Sequence, residues 1–415
     1  MANKPRKRRH LLRAIILAAL FPVHILVGLI PKNKKLIIFG SALGRHFADN
    51  SKYLFLYISR RTGGRRPVFI SRNRDLVDTL NNNGYPARSL FSLRGIITVI
   101  RADRAFVSHS TEDIHPLLTS RTKVIQLWHG TPLRKISYDT NDNDENGSAS
   151  KKKLLGIIYR LFPYTYGSVK FDRIVITSDF VRPSYRSAFR IGDDRMEVLG
   201  QPRNDCLNPE HELDEKLFPE LEYLKKLKVD SELIVAWLPT HRATERYSID
   251  RLMYDYGFDN ERVGEILEAN NITLLIKPHF LVRDRLKSKL GNSRRIVVYD
   301  PVDPYPMLRF TDILITDYSS VYFDFLLTGR PVIFAPFDYE DYQKVSATFY
   351  YDYDDVTPGP VCRNWNGILE ETLRFNACRK EGRPDDYTER RRQLCEKFNK
   401  YSNDFSQRIV ERLIP

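Results

Sequence analysis

Residues 311–336, TDILITDYSSVYFDFLLTGRPVIFAP, contain the pattern that decides the fold of this chain. The apolar run at 313–315 predicts a buried strand, and the polar residues 316–320 predict a turn after it. The residues 321–327 have the apolar pattern of a helix, and a Gly-Arg-Pro turn leads into a second apolar strand at 331–334. A strand, a helix and a second strand in this order are typical of a parallel sheet with crossover helices.

Ser319 and Ser320 lie where the predicted strand gives way to the helix. Free backbone N–H groups and the positive end of the helix dipole converge at such a point, so an anion can bind there. In open α/β sheets, ligands lie beyond the carboxyl ends of the strands. The stretch therefore predicts a phosphate site in the second half of the chain.

The length and composition indicate two domains with a large buried core. The chain has 415 residues, which is too many for one compact core, and 42% of them are hydrophobic. No two cysteines form a Cys-x-x-Cys pair, which indicates a reducing compartment and no structural zinc, although a single disulfide is left open. The cysteines are Cys206, Cys362, Cys378 and Cys395.

The N-terminal segment combines basic clusters with an apolar run. The formal net charge of the chain is +14, and ten Lys or Arg residues but no Asp or Glu precede Asp49. Residues 14–30 are uncharged and mostly apolar. This run of 17 residues is at the lower limit for a helix that spans a bilayer.

Four interpretations of this apolar run compete. A signal peptide fits the basic start, but no convincing small-residue cleavage site follows. A spanning helix would place one of the two basic clusters on the wrong side of the membrane. A buried helix of a soluble domain is the third interpretation. We favour the fourth, a helix or helical hairpin that enters one leaflet while anionic lipid holds both basic flanks.

Strands and helices alternate in both halves of the chain. The strands predicted in the first half are 36–39, 67–70, 104–107, 123–127 and 173–177. The strands predicted in the second half are 233–238, 273–277, 296–299, 313–316 and 331–334. This α/β pattern predicts two Rossmann-like domains that face a cleft.

The predicted domain boundaries follow from changes in composition. A membrane-associating segment covers 1–34, and an N-terminal Rossmann-like domain covers 35–205. A charged interdomain region with two prolines, 206–230, precedes the C-terminal Rossmann-like domain at 231–385. A C-terminal helix occupies 386–415, with its charged helical pattern at roughly 387–413. The polar residues 141–153 predict a mobile loop.

Two motifs of the first half follow predicted strands. His129 comes after the strand at 123–127, and its ordinary pKa near 6.5 suits proton transfer at neutral pH. A histidine that caps a turn fits the same position. Arg203 comes after a strand at 196–199, where it could clamp a phosphate or pair with an Asp at a turn.

Three loops of the second half carry a related signal. Thr240, Lys277 and the serines at 319 and 320 each follow a predicted strand. Each loop alone fits a solvated loop. Together they place hydroxyls and a cation at one edge of one sheet, where core packing would select apolar residues.

Two acidic features have an ambiguous meaning. Asp324 lies within the helix after the serines, where its carboxylate could accept ribose or glycerol hydroxyls or orient the serine loop. Residues 352–354, Asp-Tyr-Asp, resemble a metal-binding motif but lie in a tyrosine-rich loop, and we interpret them as solvated. No P-loop or His-Glu-x-x-His motif is present. The sequence therefore predicts neither a metal nor a cofactor.

Five motifs in this order resemble those of the CDP-glycerol glycerophosphotransferases, the teichoic acid primases and polymerases of Gram-positive cell walls. They are WHGTPL (128–133), GQPRND (200–205), PTHR (239–242), KPH (277–279) and TDYSS (316–320) together with Asp324. The resemblance extends from about Lys35 to the C-terminal helix. Residues 38–44 and 47–51 also resemble the first strand and loop of that family.

The resemblance implies a GT-B fold and a peripheral or monotopic enzyme at the cytoplasmic face of the cell membrane. It implies that His129 deprotonates the acceptor hydroxyl and that His279 is a second catalytic residue, facing the donor diphosphate. The other positions that it assigns to substrate binding are Gly130, Thr131, Pro132, Leu133, Arg203, Pro239, Thr240, Lys277, Pro278, Ser319, Ser320 and Asp324.

The expected function is transfer of glycerol phosphate from CDP-glycerol to a hydroxyl of a polyprenyl-diphosphate-linked saccharide, with release of CMP. The alternatives are a ribitol-phosphate transferase, a GT-B glycosyltransferase that uses a UDP- or GDP-sugar, and a non-enzymatic basic membrane or nucleic-acid binder. The positive charge is concentrated beside the apolar run, which favours an anionic membrane surface over nucleic acid as a partner. A homo-oligomer is left open.

Overall fold

The computed structural model of the chain describes residues 12, 14–61, 63–140, 149–162, 171–240, 242, 248–278, 283–290, 293–345 and 348–414. These residues form an α/β protein with two parallel sheets, as the sequence predicts. The chain divides into two compact units. Unit 1 comprises Met1–His129, Ile136–Arg203 and Asp404–Pro415, and unit 2 comprises Gly130–Lys135 and Asn204–Asn403.

Unit 1 is built on a seven-stranded sheet in the order β3-β2-β1-β4-β5-β6-β7. Its strands are β1 (Asn33–Gly40), β2 (Arg66–Ser71), β3 (Ala87–Ser89), β4 (Ala102–Val107), β5 (Lys123–Gln126), β6 (Arg173–Ile176) and β7 (Met196–Val198). All six pairings are parallel. The carboxyl-terminal residues of the central strands β1, β4 and β5 are buried without alternation, as expected for a parallel sheet that is covered on both faces.

The helices of unit 1 connect or cover these strands. They are Phe21–Leu29, Asp49–Ser59, Arg74–Asn82, Leu93–Arg101, Ala149–Leu161, Arg182–Phe189 and Phe405–Leu413. Helix Arg74–Asn82 begins where the Asn73 side chain accepts from the N–H of Leu76, and Ser92 caps helix Leu93–Arg101 in the same way. Phe39 of β1 stacks on Phe106 of β4 at 5.3 Å in the core.

Unit 2 is built on a five-stranded parallel sheet in the order β10-β9-β8-β11-β12. Its strands are β8 (Leu233–Leu238), β9 (Ile272–Ile276), β10 (Ile296–Val298), β11 (Ile313–Thr316) and β12 (Val332–Phe334). Its longer helices are Glu220–Asp230, Asn260–Ala269, Arg283–Leu290, Trp365–Lys380 and Thr388–Phe398, and its shorter ones are Ile249–Tyr254, Tyr305–Phe310, Val321–Phe325, Tyr339–Val345 and Tyr353–Val356. Trp237 meets Trp365 edge to face at 4.8 Å in the core of this unit.

The predicted strands are all present, with small differences at their ends. β3 was not predicted, because three residues with an arginine in the middle form no apolar run. Part of the predicted loop at 141–153 lies outside the described residues. Its last residues belong to helix Ala149–Leu161, which begins earlier than its apolar pattern does.

The prediction of one continuous C-terminal helix is wrong. Two helices occupy that region, Thr388–Phe398 and Phe405–Leu413, and they fall in different units. Asn399 ends the first helix with extended backbone, and its side-chain amide donates to the carbonyl of Phe323. Asp404 then adopts a left-handed conformation with φ 57°, which no α-helix accommodates.

Helix Phe21–Leu29 lies against the loop 117–121 that precedes β5. His24 Nδ1 is 3.0 Å from the carbonyl oxygen of Leu117, whereas Leu26 and Leu29 are 61% and 69% exposed. Among the described residues, no helix has both the length and the apolar character needed to cross a membrane.

Two glycines of unit 2 provide a matched test of the packing. A Cβ on Gly359 would lie 1.9 Å from the carbonyl oxygen of Val332, whereas a Cβ on Gly264 meets no described atom within 4 Å. We expect Gly359→Ala to lower the free energy of unfolding by about 1–3 kcal/mol through overpacking. We expect Gly264→Ala, within helix Asn260–Ala269, to raise it by about 0.5–1 kcal/mol.

Urea unfolding followed by tryptophan fluorescence measures both changes. Trp237 and Trp365 are buried in this unit and report its unfolding. Equal effects of the two substitutions would contradict the close approach of the 359 loop to β12.

Candidate functional site

The loop after β5 presents His129 in unit 1. Trp128 has a φ of 58°, which turns the chain sharply at the end of the strand. The side chain of Gln126 stabilises this turn, because its oxygen accepts from the N–H of Trp128 at 2.9 Å and its amide donates to the carbonyl of His109 at 3.0 Å. His129 is thereby fixed just beyond the carboxyl end of the strand.

The hydrogen bond of the His129 ring defines its tautomer. Nδ1 lies 3.0 Å from the carbonyl oxygen of Ser108. Because a carbonyl oxygen only accepts, Nδ1 must carry the hydrogen, and in the neutral ring Nε2 then has the free lone pair. The ring of His109 stacks on that of His129, with centroids 4.4 Å apart and planes at 15°.

The surroundings of His129 keep its imidazole neutral. Burial lowers its pKa to about 3, and the neighbouring His109 acts in the same direction. The carboxylate of Asp49 and the hydrogen bond to Ser108 oppose this shift only partly. At neutral pH the ring is therefore an unprotonated base.

Asp49 lies between His109 and the second predicted residue of unit 1, Arg203. Asp49 Oδ1 accepts from the Arg203 guanidinium at 2.9 Å, and Oδ2 lies 3.6 Å from His109 Nε2. Burial alone would raise the pKa of Asp49, but the charges of His109 and Arg203 bring it below the usual value. The Arg203 side chain is buried and paired with a carboxylate, as the turn interpretation of its motif allowed.

Asn50, in helix Asp49–Ser59, holds two loops of unit 1 together. Its side-chain amide donates to the carbonyl of Trp128 at 2.8 Å, and its oxygen accepts from the N–H of Arg203 at 3.1 Å. Because Asn50 is wholly buried, both bonds replace water that the side chain loses on folding. This residue sets the distance between the loops that carry His129 and Arg203.

The sequence analysis missed His109 and Asp113. Asp113 is buried and accepts from the N–H groups of Leu43, Ser108 and His109 at 2.7–2.9 Å. His109 follows β4 as His129 follows β5, so the rule that selected His129 could have selected His109 as well. The five family motifs do not include it.

In unit 2, the loops after β8 and β11 are locked by Asp317. Its Oδ1 accepts from the N–H and hydroxyl of Thr240, and its Oδ2 pairs with Arg242 at 2.7 Å. Arg242 also makes a bidentate contact with Asp338, at 2.9 and 2.8 Å. Burial would lower the pKa of Arg242, but the carboxylates of Asp317 and Asp338 raise it well above its usual value.

Lys277 and the two serines lie at the same edge of the sheet. β9, β8 and β11 are neighbours, so their carboxyl ends lie side by side at spacings of about 5 Å. Burial lowers the pKa of the half-buried Lys277, and the charges of Asp300 and Asp303 oppose this shift only partly. Ser319 and Ser320 are partly exposed, and the Ser319 hydroxyl accepts from the N–H of Val321 at 3.4 Å.

Other predicted residues have structural surroundings. Asp324 is wholly buried, and its two oxygens accept from Asn204 and from the hydroxyl of Tyr305. Pro239 is partly exposed after β8, and Pro278 is buried after Lys277. His279 lies outside the described residues.

The motif at 128–133 is divided between the units. Gly130, Thr131, Pro132 and Leu133 belong to unit 2 although His129 belongs to unit 1. Gly130 has a φ of 140°, Thr131 is wholly buried, and the carbonyl of Leu133 accepts from the N–H of Tyr350 at 2.9 Å. The structure thus gathers His129 and Arg203 in one unit and Thr240, Lys277, Ser319 and Ser320 in the other.

Comparisons with known proteins identify relatives along almost the full length of the chain. A teichoic acid poly(glycerol phosphate) polymerase of Bacillus spizizenii is 27% identical over 97% of this chain and 98% of its own length. A teichoic acid glycerol-phosphate transferase of Staphylococcus aureus is 25% identical over 98% of this chain and 99% of its own length. The solved structure of the wall teichoic acid polymerase TagF matches with a TM-score of 0.70 at 22% identity, over 99% of this chain and 97% of that one, which supports the fold.

A family model matches far more than half of the chain. It is described as CDP-Glycerol:Poly(glycerophosphate) glycerophosphotransferase, and it covers residues 23–415. The chain is therefore a transferase that belongs to the CDP-glycerol:poly(glycerophosphate) glycerophosphotransferase family.

Proposed function

We propose that the protein transfers glycerol phosphate from CDP-glycerol to a hydroxyl of a membrane-linked acceptor and releases CMP, in the synthesis of teichoic acid or a related cell-surface polymer. The observation that carries the proposal is the neutral His129 ring, whose Nδ1–H is held by Ser108. A base in this state can accept a proton from an acceptor hydroxyl through Nε2. Related polymerases have names that agree with this activity, and crystals of TagF were soaked with CDPG.

The proposed reaction is an in-line displacement at phosphorus. The acceptor oxygen forms a bond to the β-phosphorus of CDP-glycerol, and its proton passes to Nε2 of His129. The bond between the β-phosphorus and the bridging oxygen breaks, and that oxygen leaves with CMP. Negative charge grows on the phosphoryl oxygens and on the departing phosphate, so fixed donors and cations near them lower the barrier.

The donor-binding residues that we propose are those at the strand ends of unit 2. The Lys277 ammonium is half-buried and interacts with Asp300 and Asp303 only through the electrostatic attraction of their charges, so it can contact an anion. The partly exposed hydroxyls of Ser319 and Ser320 can donate to the same diphosphate. We retain Gly130, Thr131, Pro132, Leu133, Pro239, Thr240, Pro278 and His279 as proposed donor contacts or catalytic groups from the resemblance.

For Arg203 and Asp324 we propose positioning as the first role. Arg203 is paired with Asp49, and both oxygens of Asp324 accept from neighbouring side chains. A direct contact of either residue with the donor would require one of these bonds to be exchanged. Their contribution is therefore the placement of the loops at 200–205 and 316–320.

We also propose the finer domain assignment that the resemblance implies, a GT-B fold. Residues 35–205 would bind the acceptor, 206–230 would connect the domains, and 231–385 would bind CDP-glycerol.

A donor with ribitol in place of glycerol is the second candidate, because a ribitol-phosphate polymerase of Staphylococcus aureus is 27% identical over 67% of this chain and 48% of its own length. Assays with CDP-glycerol and CDP-ribitol in parallel distinguish the two donors.

We further propose that residues 1–34 bind the cytoplasmic face of the cell membrane. The highly exposed Leu26 and Leu29 present apolar surface, and ten basic residues precede the first acidic one. Apolar burial in the interface and attraction to anionic lipid reinforce each other in such segments.

His129→Ala is expected to lower kcat by about 10²–10⁴-fold, because the acceptor hydroxyl loses its base. The measurement is CMP release from CDP-glycerol with a polyprenyl-diphosphate-linked acceptor. His46→Ala, which removes an exposed imidazole of the same unit, serves as the control.

In the wild type, kcat/KM should stay within two-fold between pH 7 and pH 5, because the lowered pKa keeps His129 unprotonated.

Two results would count against this assignment of His129. One is full turnover of the His129→Ala variant. The other is a wild-type kcat/KM that falls by about 25-fold between pH 7 and pH 5, as an imidazole with the ordinary pKa of 6.5 requires.

Lys277→Ala is expected to lower kcat/KM for CDP-glycerol by about 10–150-fold, since a hydrogen bond to a charged group contributes about 1.5–3 kcal/mol. The matched control is Lys226→Ala, which removes an exposed ammonium from helix Glu220–Asp230. CMP release measured at varied CDP-glycerol concentrations gives kcat/KM for both variants. An unchanged kcat/KM would exclude Lys277 from donor binding.

The double variant Leu26→Ser and Leu29→Ser is expected to weaken binding to vesicles by about 100-fold or more, because each buried leucine contributes about 1.5–3 kcal/mol. Flotation with vesicles that contain phosphatidylglycerol measures this change. Val229→Ser removes an 85% exposed side chain from unit 2 and should have no effect. Undiminished binding of the double variant would place the membrane contact elsewhere.

A further inference from the structure

His109 lies directly beside the proposed base, yet the mechanism above does not use it. Its ring is stacked on that of His129, with centroids 4.4 Å apart and the two ring planes nearly parallel. Trp128 lies against the same His129 ring at 4.1 Å, with the planes at 35°. The orientation of His129 therefore depends on two aromatic neighbours as well as on its hydrogen bond to Ser108.

The His109 ring is itself held from two sides. Its Nδ1 accepts from the N–H of Ala42 at 3.2 Å, so the neutral ring carries its hydrogen on Nε2. Nε2 lies 3.6 Å from Asp49 Oδ2, toward which this hydrogen can point. Asp113 fixes the backbone below the ring, because it accepts from the N–H groups of His109 and Ser108.

We propose that His109, held by the Ala42 amide and Asp49, is a positioning residue that fixes the plane of the His129 ring and so directs Nε2 at the acceptor hydroxyl. The proposal rests on the proposed function, because it concerns the base of that reaction. His109 touches no reacting atom in this scheme. It acts only through His129.

The Nδ1 hydrogen bond alone does not fix the His129 ring. A single hydrogen bond can be broken by rotation of the ring about χ2, and such a rotation moves Nδ1 away from Ser108 and Nε2 sideways. A stacked neighbour that is itself anchored opposes this turn. A displacement of about 1 Å in a reacting group can cost about 100-fold in rate, so the anchoring matters for catalysis.

The charges around the pair are compatible with this role. The groups that face the two rings are Asp49, Asp113 and Arg203. The Asp49 carboxylate acts to raise the pKa of His129, so it stabilises the imidazolium that forms when His129 accepts the proton.

Two substitutions distinguish the effect of the stacked His109 ring from the effect of its contacts with Ala42 and Asp49. His109→Ala removes the stacked ring, and we expect it to lower kcat by about 10–100-fold while KM for CDP-glycerol changes by less than two-fold. His109→Phe retains a flat ring but loses the hydrogen bond from the Ala42 N–H and the contact with Asp49. We expect this variant to lose less activity than His109→Ala. His46→Ala is the matched control. Thermal unfolding of each variant shows whether the assayed enzyme is folded.

A spectroscopic measurement tests the orientation without activity. In the full-length protein labelled with ¹⁵N-histidine, the ring nitrogens of His129 are assigned by comparison with His129→Asn. The wild type should give a single tautomer with hydrogen on Nδ1, and His109→Ala should give a mixture of tautomers. A merely structural role of His109 would lower stability without changing this signature.

The outcomes distinguish this proposal from the proposed function. Full activity of His129→Ala together with a tautomer change in His109→Ala would remove His129 as the base but keep His109 as the residue that orients it. An unchanged His129 tautomer in His109→Ala, or an unchanged kcat in that folded variant, would overturn the positioning role.

Discussion

Parallel pairing of the strands is the constraint on which the arrangement of the functional residues depends. All described strand pairs in both sheets are parallel, so neighbouring strands end at the same edge. The loops after β4 and β5 therefore bring His109 and His129 into ring contact, although 20 positions separate them. In unit 2, the same constraint aligns the loops after β8, β9 and β11, whose residues are distant in sequence.

Buried polar side chains convert this approximate proximity into fixed geometry. Asn50 joins the loops of Trp128 and Arg203 in unit 1, and Asp317, in the loop after β11, holds Thr240 and Arg242 of the loop after β8 in unit 2. Removing one partner of such a buried pair leaves an uncompensated group and typically costs about 3–5 kcal/mol. Reactive groups of an enzyme must be held to a fraction of an ångström, and polar networks of this kind provide that precision.

Much of the fold and part of the site could be predicted from local pattern. Apolar runs located the strands, and the position of His129 just past a strand end marked it as a candidate. The pattern did not predict β3, because three residues are too few for a periodic signal. It also did not predict the interruption of the C-terminal helix at 399–404, where Asp404 is left-handed. It also missed His109, although His109 follows β4 as His129 follows β5 and the same rule could have selected it.

The sequence by itself determined the α/β class, the alternation of strands and helices, and the set of polar motifs at strand ends. Only the tertiary structure decided which residues meet: His129 with His109, His109 with Asp49, and Asp324 with Asn204 and Tyr305. The tautomer of His129 and its lowered pKa also depend on these contacts. The physical reason is that hydrogen bonding, burial and charge act over a few ångströms in space, whereas a sequence pattern records only spacing along the chain.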